Sequence, residues 1–255
     1  MKIITLLTDF GLKDAYVGIM KGVIASINPD ATVIDITHEI ESQDITEAAF
    51  MIGDYFRWFE EGSIHAAIVD PTVGSARRPI ILVSEGRYFV GPDNGIFTLV
   101  MGEAPEVYVV ENQAFMHLPV SATFHGRDIF SPAAAHLSRG IMPREFGPAL
   151  HDPVTLPGLL PEMEENLIRG KIVRFDRFGN GITNISGERI KPFLAAPFVI
   201  ETGGMEFHAL SRSYYEQEVT CLIGSSGYLE FGVFKGSFQA FAAAVKGQEV
   251  RIRAT

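Results

Sequence analysis

The 255-residue sequence contains a single cysteine, Cys221, and no block of lysine and arginine residues. One cysteine excludes an intrachain disulfide framework and a cysteine-based zinc site, and it favours a cytoplasmic location. The formal net charge is -10, and without a basic block neither a nucleic-acid backbone nor an anionic membrane is an expected partner. The charge is better suited to a neutral or cationic small ligand.

Long apolar runs and several familiar catalytic motifs are also lacking. Thr8-Asp9 interrupts the apolar opening too early for a signal peptide, and no apolar run approaches membrane-spanning length. There is no glycine-rich phosphate loop, no dinucleotide-binding glycine motif and no His-Glu-x-x-His zinc motif. Ser225 and Ser226 lie between two glycines, but in a strand-rich region without the strand-turn-helix context of a nucleophilic serine.

Alternating apolar and amphipathic segments predict an α/β domain over residues 1–152. Short apolar segments predict buried strands, and two amphipathic segments between them predict helices, one from about Asp14 and one capped by Asp44. Repeated strand-helix-strand order indicates a mostly parallel sheet flanked by helices. A predicted hairpin over residues 79–90 makes the sheet mixed.

The composition changes at residues 153–166, where prolines and acidic residues are concentrated, and we interpret this stretch as a linker. Residues 167–255 consist of short β-type segments separated by turn signals at close intervals, which is typical of a small barrel or sandwich. The sequence therefore predicts a second, all-β barrel domain.

Charged residues follow the predicted strands of the α/β domain. Asp9 follows the first strand, and Asp70 follows the strand at residues 64–69, in a loop that also carries Arg77 and Arg78. In an open α/β sheet the ligand crevice lies beyond the carboxyl ends of the strands. These residues are therefore candidates for a site, with a turn cap and solvated surface charge as the alternative interpretation.

Five short motifs occur in order along essentially the whole chain. They are Thr8-Asp9-Phe10-Gly11, Val69-Asp70-Pro71 with Val73-Gly74 and Arg77-Arg78, Pro92-Asp93-Asn94-Gly95, Phe124-His125-Gly126-Arg127-Asp128, and Phe178-Gly179-Asn180 with Thr183-Asn184. One such motif would be weak evidence, whereas five in sequence are specific. Together they resemble the S-adenosylmethionine hydrolase (adenosine-forming) family, which is related to the bacterial fluorinase and chlorinase.

The resemblance implies hydrolysis of S-adenosylmethionine to adenosine and methionine, with no cofactor and no metal ion. It implies a homotrimer with active sites between neighbouring subunits. It also implies that Asp70, Arg77 and His125 act on the nucleophilic water. The residues that it implies for substrate binding are Asp9 for the ribose hydroxyls, Asn180 for adenine, and Asp176 and Ser225 for the methionine part.

The sequence departs from the family pattern at a few positions. Thr72 stands where the family usually has glycine, and Ser226 stands where the halogenases carry an arginine beside the methionine carboxylate. Gly126 follows His125 at the position where the halogenases have a halide-binding serine. Gly126 and His125 together favour water over halide as the nucleophile.

The chemistry of this reaction suits the implied residues. The substrate is a sulfonium cation, so methionine leaves as a neutral molecule and only the nucleophile needs activation. Arg77 stays protonated and can fix a water and favour its hydroxide form, while Asp70 can orient Arg77. His125 can take or relay the proton near neutral pH.

Three other functions remain open from the sequence. One is a halogenase-like adenosyl transferase that makes 5′-halo-5′-deoxyadenosine. Another is a phosphoesterase with a divalent metal held by Asp9, Asp35, Asp70 and His125. The third is a slow adenosine or S-adenosylmethionine sensor that keeps Asp9 and Asn180.

Overall fold

The computed structural model describes residues 2–254, apart from the side chain of Ala195. The chain divides into two compact units, the first ending at Pro157 and the second beginning at Gly158. Within the described residues, no helix combines the length and the apolar character that a bilayer crossing requires.

In its described part, the first unit contains six strands, three α-helices and several single helical turns. The strands are β1 (Ile3–Thr8), β2 (Thr32–Thr37), β3 (Ile64–Ile68), β4 (Pro79–Ser84), β5 (Arg87–Pro92) and β6 (Glu106–Val109). The α-helices are α1 (Tyr16–Ile27), α2 (Ile45–Tyr55) and α3 (Ser131–Ser138), and a π-helical turn, Gly126–Phe130, leads into α3. The 3₁₀ turns are Phe56–Trp58, Thr98–Val100, Gln113–Phe115 and Pro143–Glu145.

The six strands form one mixed sheet in the order β2-β1-β3-β5-β4-β6. The first four of these are parallel, and β4 runs antiparallel to both β5 and β6. The predicted mixed sheet is therefore confirmed. Thr8 pairs with Ile68 across β1 and β3, so Asp9 and Asp70 follow neighbouring strand ends at the same edge of the sheet.

Side chains that alternate along β1 pack on opposite faces of the sheet. Leu6 belongs to the apolar cluster that contains Met20 of α1 and Ala133 of α3, whereas Leu7 belongs to the cluster that contains Ile52 of α2. Successive strand residues point to opposite faces, which is why both faces of a parallel sheet need helices. Full burial of each such aliphatic side chain contributes about 1.5–3 kcal/mol.

The two predicted helix starts have different outcomes. Asp44 is the N-cap of α2, and its side chain accepts the backbone N–H of Glu47 at 2.8 Å, as the sequence predicts. Helix α1 begins at Tyr16 rather than at Asp14. Ala15 occupies its N-cap and makes no side-chain capping bond, so no capping side chain marks this start in the sequence.

The second unit is built on one antiparallel, barrel-like sheet. Its core includes Ile172, Ile200, Phe231 and Ile252, all fully buried. In the described residues its strands are β7 (Glu162–Glu164), β8 (Leu167–Phe175), β9 (Gly181–Ser186), β10 (Phe198–Thr202), β11 (Met205–Phe207), β12 (Val219–Ile223), β13 (Tyr228–Val233) and β14 (Glu249–Ala254). Short helices are α4 (Gly187–Ile190) and α5 (Phe238–Phe241), with a 3₁₀ turn at Lys191–Ala195.

The strand order of the second sheet is β11-β10-β14-β8-β9-β13-β12, with β7 also paired to β8. All of these pairings are antiparallel. The nine-residue β8 joins the two halves, since it pairs with β14 along one part and with β9 along another. The prediction of an all-β C-terminal domain is confirmed, and β7 adds a short strand within the stretch that we interpreted as a linker.

Candidate functional site

Three of the sequence-predicted site residues contact one another in the first unit. Arg77 Nε donates to Asp70 Oδ2 at 2.9 Å and to Oδ1 at 3.1 Å, and Arg77 Nη2 donates to the same carboxylate. Nη2 also lies 2.5 Å from His125 Nδ1. Arg77 therefore bridges a carboxylate and an imidazole.

The Arg77–Asp70 pair is buried, with 7% and 4% of the two side chains exposed. The guanidinium lies over the ring of Phe130, 5.2 Å from its centroid. Removing both charges from water offsets much of their attraction, so a buried ion pair is poorly explained by stability alone. The pair is therefore a candidate for a functional role.

Arg77 also has a nitrogen that its neighbours do not satisfy. Nη1 is buried and has no hydrogen-bond partner among the described residues. A buried donor without an acceptor costs about 1–3 kcal/mol. The guanidinium is therefore suited to donate from Nη1 to a ligand or a water oxygen.

The protonation of His125 follows from its surroundings. Burial and the adjacent Arg77 guanidinium lower the pKa of His125, which favours the neutral imidazole. A neutral ring accepts at Nδ1 only when its proton is on Nε2. In this arrangement the Nδ1 lone pair is already used by Arg77, and His125 helps to orient the guanidinium.

The loop at residues 70–78 approaches the segment that leads to His125. Gly74 has φ +80°, and a Cβ at this position would lie 2.3 Å from the carbonyl oxygen of Ala122. Only glycine permits this backbone conformation and this approach at low cost. The close contact holds the Arg77 loop against the chain three residues before His125.

Arg77 and Arg78 are adjacent in sequence but make different contacts. Arg78 Nε donates to Asp93 at 2.8 Å, and Arg78 Nη1 donates to Asp152 at 2.8 Å. Arg78 therefore anchors its loop to the segments around residues 93 and 152. The family resemblance assigns Arg77 to the site, whereas the residue type and the spacing within the motif do not distinguish the two arginines.

His125 lies at the start of the π-helical turn Gly126–Phe130. The buried carboxylate of Asp128 accepts from Arg127 and from the backbone N–H of Ser121, which ties this turn to the loop before it. Such turns are frequent at functional sites. Because Asp128 ties this turn to the preceding loop, the backbone at His125 is held in position.

Asp9 is half-buried, and its Oδ2 accepts the backbone N–H of Gln43 at 2.9 Å. The next residue, Phe10, forms an aromatic cluster with Tyr16 and Phe124, with ring centroids 5.0–6.1 Å apart. A Cβ on Gly126 would lie 3.2 Å from the Phe124 ring. A larger residue at position 126 would therefore require this cluster to shift.

Asp176 and Asn180 contact each other in the second unit. Asp176 Oδ1 accepts the backbone N–H groups of Phe178 at 2.9 Å and Asn180 at 2.8 Å, and Oδ2 accepts from Asn180 Nδ2 at 2.8 Å. Both carboxylate oxygens are thus engaged within one turn. Ser225 is exposed in the β12–β13 turn, and no hydrogen bond joins it to Asp176 or Asn180 within the described residues.

Asn180 faces a cavity of about 630 Å³ in the second unit, which Phe178, Tyr214 and Val233 also line. The Tyr214 hydroxyl donates to Glu230, which is buried within β13. Burial raises the pKa of Glu230. Glu230 is not among the site residues predicted from the sequence, although a charged residue inside an apolar strand is a signal that points to it.

Family models match both parts of the chain. Residues 4–147 match the SAM hydroxide adenosyltransferase N-terminal domain, where SAM is S-adenosylmethionine, and residues 170–251 match the C-terminal domain of the same family. A crystal structure of an uncharacterized conserved protein from Thermotoga maritima superposes with a TM-score of 0.90 at 34% identity and covers 98% of this chain and 99% of that chain.

Curated relatives agree with this match. The (R)-S-adenosyl-L-methionine hydrolase of Thermus thermophilus is 35% identical over 264 residues, covering 99% of this chain and 100% of the relative. The hydrolase of that name from Methanocaldococcus jannaschii is 35% identical, covering 92% and 89%. A fluorinase from an Actinoplanes species is 30% identical over 72% of this chain and 71% of its own length. This chain therefore belongs to the SAM hydroxide adenosyltransferase family.

Proposed function

We propose that this protein hydrolyses S-adenosylmethionine to adenosine and methionine. The observation that carries the proposal is the buried Arg77 Nη1, a donor that lacks a partner within the described residues and is suited to a water oxygen. Relatives named (R)-S-adenosyl-L-methionine hydrolase are 31–36% identical to this chain. The fluorinases are 28–30% identical and match 72–74% of this chain, whereas three of the four hydrolases match 92–99% of it.

In the proposed reaction a water oxygen forms a bond to the ribose C5′ while the bond from C5′ to sulfur breaks. The electron pair of the broken bond stays on sulfur, so methionine leaves as a neutral thioether without an acid. Arg77 donates from Nη1 to the water and stabilises its developing negative charge. Asp70 holds the guanidinium through Nε and Nη2, which keeps Nη1 directed away from the carboxylate.

The water must also lose a proton. In the proposal His125 takes it at Nδ1, which requires Arg77 Nη2 to leave that nitrogen as the water approaches. The lowered pKa of His125 keeps the ring neutral beforehand, so that its lone pair is present at neutral pH. Hydroxide and sulfonium cancel their charges in the transition state, and the low exposure of Arg77 and Asp70 supports a site from which bulk water is displaced.

The substrate-binding roles are also proposals. Asp9 can accept the two ribose hydroxyls on one carboxylate, and it lies at the edge of the sheet where Asp70 lies. Asn180 offers an acceptor and a donor for the edge of adenine. Ser225, exposed in its turn, is proposed for the methionine part. Asp176, expected at the methionine part from the family resemblance, already accepts three hydrogen bonds from its own turn.

We propose that neither a metal ion nor a cofactor takes part. Both oxygens of Asp70 and the Nδ1 of His125 accept from the Arg77 cation, so the atoms that would ligate a divalent ion face a fixed positive charge instead. We expect turnover to be unchanged after treatment with EDTA and gel filtration. A loss of turnover that Mg²⁺, Mn²⁺ or Zn²⁺ restores would contradict this.

We also propose a homotrimer in the cytoplasm. The trimer is supported by the family resemblance, and the location by the lone cysteine, which is buried. Sedimentation equilibrium of the purified protein measures the first, and a monomer or dimer at micromolar concentration would contradict it. Fractionation of the producing cells measures the second.

The test of the proposed function is hydrolysis of S-adenosylmethionine in oxygen-18 water, with and without fluoride or chloride. We expect the label in the 5′-hydroxyl of adenosine and none in methionine, because water attacks carbon and sulfur only accepts electrons. A 5′-halo-5′-deoxyadenosine product would instead favour the halogenase alternative. Binding of adenosine without turnover would favour the sensor.

A further inference from the structure

We propose that Asp176 is a positioning residue that fixes the side-chain amide of Asn180 and thereby makes the second unit select a 6-aminopurine over a 6-oxopurine. The inference rests on the proposed function, since the adenine of S-adenosylmethionine is the purine concerned. It assigns to Asp176 a role toward the base in addition to the contact with the methionine part that the family resemblance implies.

The chemistry of the two side chains decides which way the amide points. A carboxylate oxygen only accepts hydrogen bonds, and Asp176 Oδ2 lies 2.8 Å from Asn180 Nδ2. The NH₂ group of Asn180 must therefore face Asp176, and its carbonyl oxygen must face the other way. With the amide reversed, two oxygens would oppose each other at hydrogen-bonding distance.

The Asn180 oxygen faces the cavity wall formed with Tyr214. A Cβ added to Gly232 would lie 2.9 Å from Asn180 Oδ1 and 2.7 Å from the Tyr214 ring. The amide oxygen of Asn180 and the ring of Tyr214 therefore both pack against Gly232, where the absence of a side chain leaves room for them. Both residues line the cavity of about 630 Å³, and the hydroxyl of Tyr214 is held by the buried Glu230.

The backbone of the turn that carries Asn180 is held in place, in addition to the orientation of the Asn180 amide. Asp176 Oδ1 accepts the backbone N–H groups of Phe178 and Asn180. Gly179 has φ +80°, and a Cβ there would lie 2.0 Å from Ser237 Oγ. Asn180 itself is only 6% exposed, so its amide cannot turn freely to suit a different base.

A fixed amide oxygen distinguishes purines by the group on carbon 6. The 6-amino group of adenine donates a hydrogen bond to the oxygen, whereas the 6-oxo group of hypoxanthine is an acceptor and would oppose it. Purine riboside has hydrogen at this position and neither donates nor repels. Stacking on Phe178 and Tyr214 is available to all three bases, so the group on carbon 6 decides the order of affinity.

The first measurement uses the parent protein and three ligands, adenosine, purine riboside and inosine, in titration calorimetry. We expect adenosine to bind most tightly and inosine most weakly, with adenosine at least about 100-fold tighter than inosine, because a buried acceptor is left opposed by another acceptor. Binding of inosine as tight as that of purine riboside would overturn the inference. Failure to bind any of the three would overturn the proposed function itself.

The second measurement uses Asp176→Asn, which nearly preserves shape. Its one amide oxygen is needed by the two backbone N–H groups that Asp176 Oδ1 accepts, so the variant presents an NH₂ group to Asn180. We expect the adenosine-to-inosine affinity ratio to fall at least about tenfold, because the amide of Asn180 then reverses and turns its own NH₂ group towards the base. Asp30→Asn, at an exposed position of the first unit, is the matched control and should keep the parent ratio.

The affinity ratio separates the positioning role from two others. A merely structural role of Asp176 would weaken adenosine and inosine alike and leave their ratio unchanged. A contact with the methionine part would weaken S-adenosylmethionine binding and also leave the ratio unchanged. Either result would overturn the inference. If Asp176→Asn does not fold, as judged by circular dichroism, the ligand order of the parent protein still decides.

Discussion

Arg77 donates to a carboxylate and to an imidazole at the same time, and it keeps a third nitrogen buried without a partner in the described residues. This arrangement of hydrogen bonds requires a planar guanidinium, because its three nitrogens must point in three fixed directions. A lysine ammonium at the end of a flexible chain supplies the charge without the fork. The identity of this one residue therefore decides the geometry of the site.

We expect Arg77→Lys to lower kcat about 100-fold or more, because the fixed donor at Nη1 is lost although the positive charge remains. Adenosine binding should change little, since Arg77 is proposed to hold the water and not the nucleoside. Steady-state kinetics and titration calorimetry measure the two effects. Turnover at the parent rate would show that Arg77 does not activate water.

His125 gives the reaction a predictable pH dependence. Its pKa lies below the ordinary value of 6.5, and the proposed active form is neutral. Turnover should therefore be constant above this range and fall only as the pH drops through the lowered pKa, where the ring becomes protonated.

A pH profile of kcat/KM tests this expectation, with His125→Gln as the comparison. Glutamine can still accept from Arg77 but cannot titrate, so its residual turnover should lack the loss at acid pH. A parent profile that already falls above pH 6.5 would contradict a neutral, low-pKa imidazole.

At the scale of elements, the loop between β3 and β4 positions the site. Its second residue, Asp70, carries the carboxylate, its end carries the two arginines, and its middle approaches the segment before His125. Gly74 makes this approach possible, because its positive φ and its missing side chain are both required. Arg78 fixes the far end of the loop through Asp93 and Asp152.

We expect Gly74→Ala to lower the free energy of unfolding by about 1–3 kcal/mol and to lower kcat, because the loop must move away from Ala122. Gly102→Ala is the matched control. Gly102 has φ +70°, but nothing lies within 4 Å of an added Cβ. Gly102→Ala therefore introduces the strain of a positive φ without a steric clash like the one with Ala122.

Chemical denaturation and steady-state kinetics of the two glycine variants separate strain from collision. Both variants should lose stability, but only Gly74→Ala should lose turnover in the folded state. Equal kinetics in the two variants would show that the loop position does not set the geometry of Arg77.

At the scale of the whole molecule, the buried imidazole of His65 links the stability of the fold to pH. His65 is fully buried in β3, where it contacts Thr5 Oγ1 at 2.9 Å and Ser63 Oγ at 3.1 Å. Burial, with a smaller effect of Arg87, lowers its pKa to about 3. Below pH 6.5 the unfolded chain binds a proton at this position that the folded chain does not bind.

We therefore expect the free energy of unfolding to fall as the pH drops from 6.5 towards about 3, with His65 contributing up to about 1.4 kcal/mol per pH unit. His65→Gln should show a shallower pH dependence in urea titrations, because glutamine keeps hydrogen-bonding groups and cannot titrate. His208→Gln, at an exposed position, controls for the loss of an imidazole. Equal slopes for His65→Gln and the parent would contradict the role of His65.

The sequence by itself determined the fold class and the family. Apolar residues at the spacing of strands and helices are a local property, and so are the cap at Asp44 and the acids that follow β1 and β3. The ordered motifs extend over nearly the whole chain, and the family they resemble is confirmed by the matched domains. These features could be predicted because each depends on neighbours in the chain.

Only the tertiary structure decided which polar groups meet. Arg77 reaches His125 across 48 positions of sequence, whereas the adjacent Arg78 reaches Asp152. The family resemblance implies a shared role for Asp70, Arg77 and His125, but residue type and spacing alone do not show which arginine makes which contact. The structure also shows that Asp176 is engaged by its own turn and that Glu230 is buried. Side-chain partners of this kind depend on how strands and loops pack in space, since distance along the chain does not determine distance in the fold.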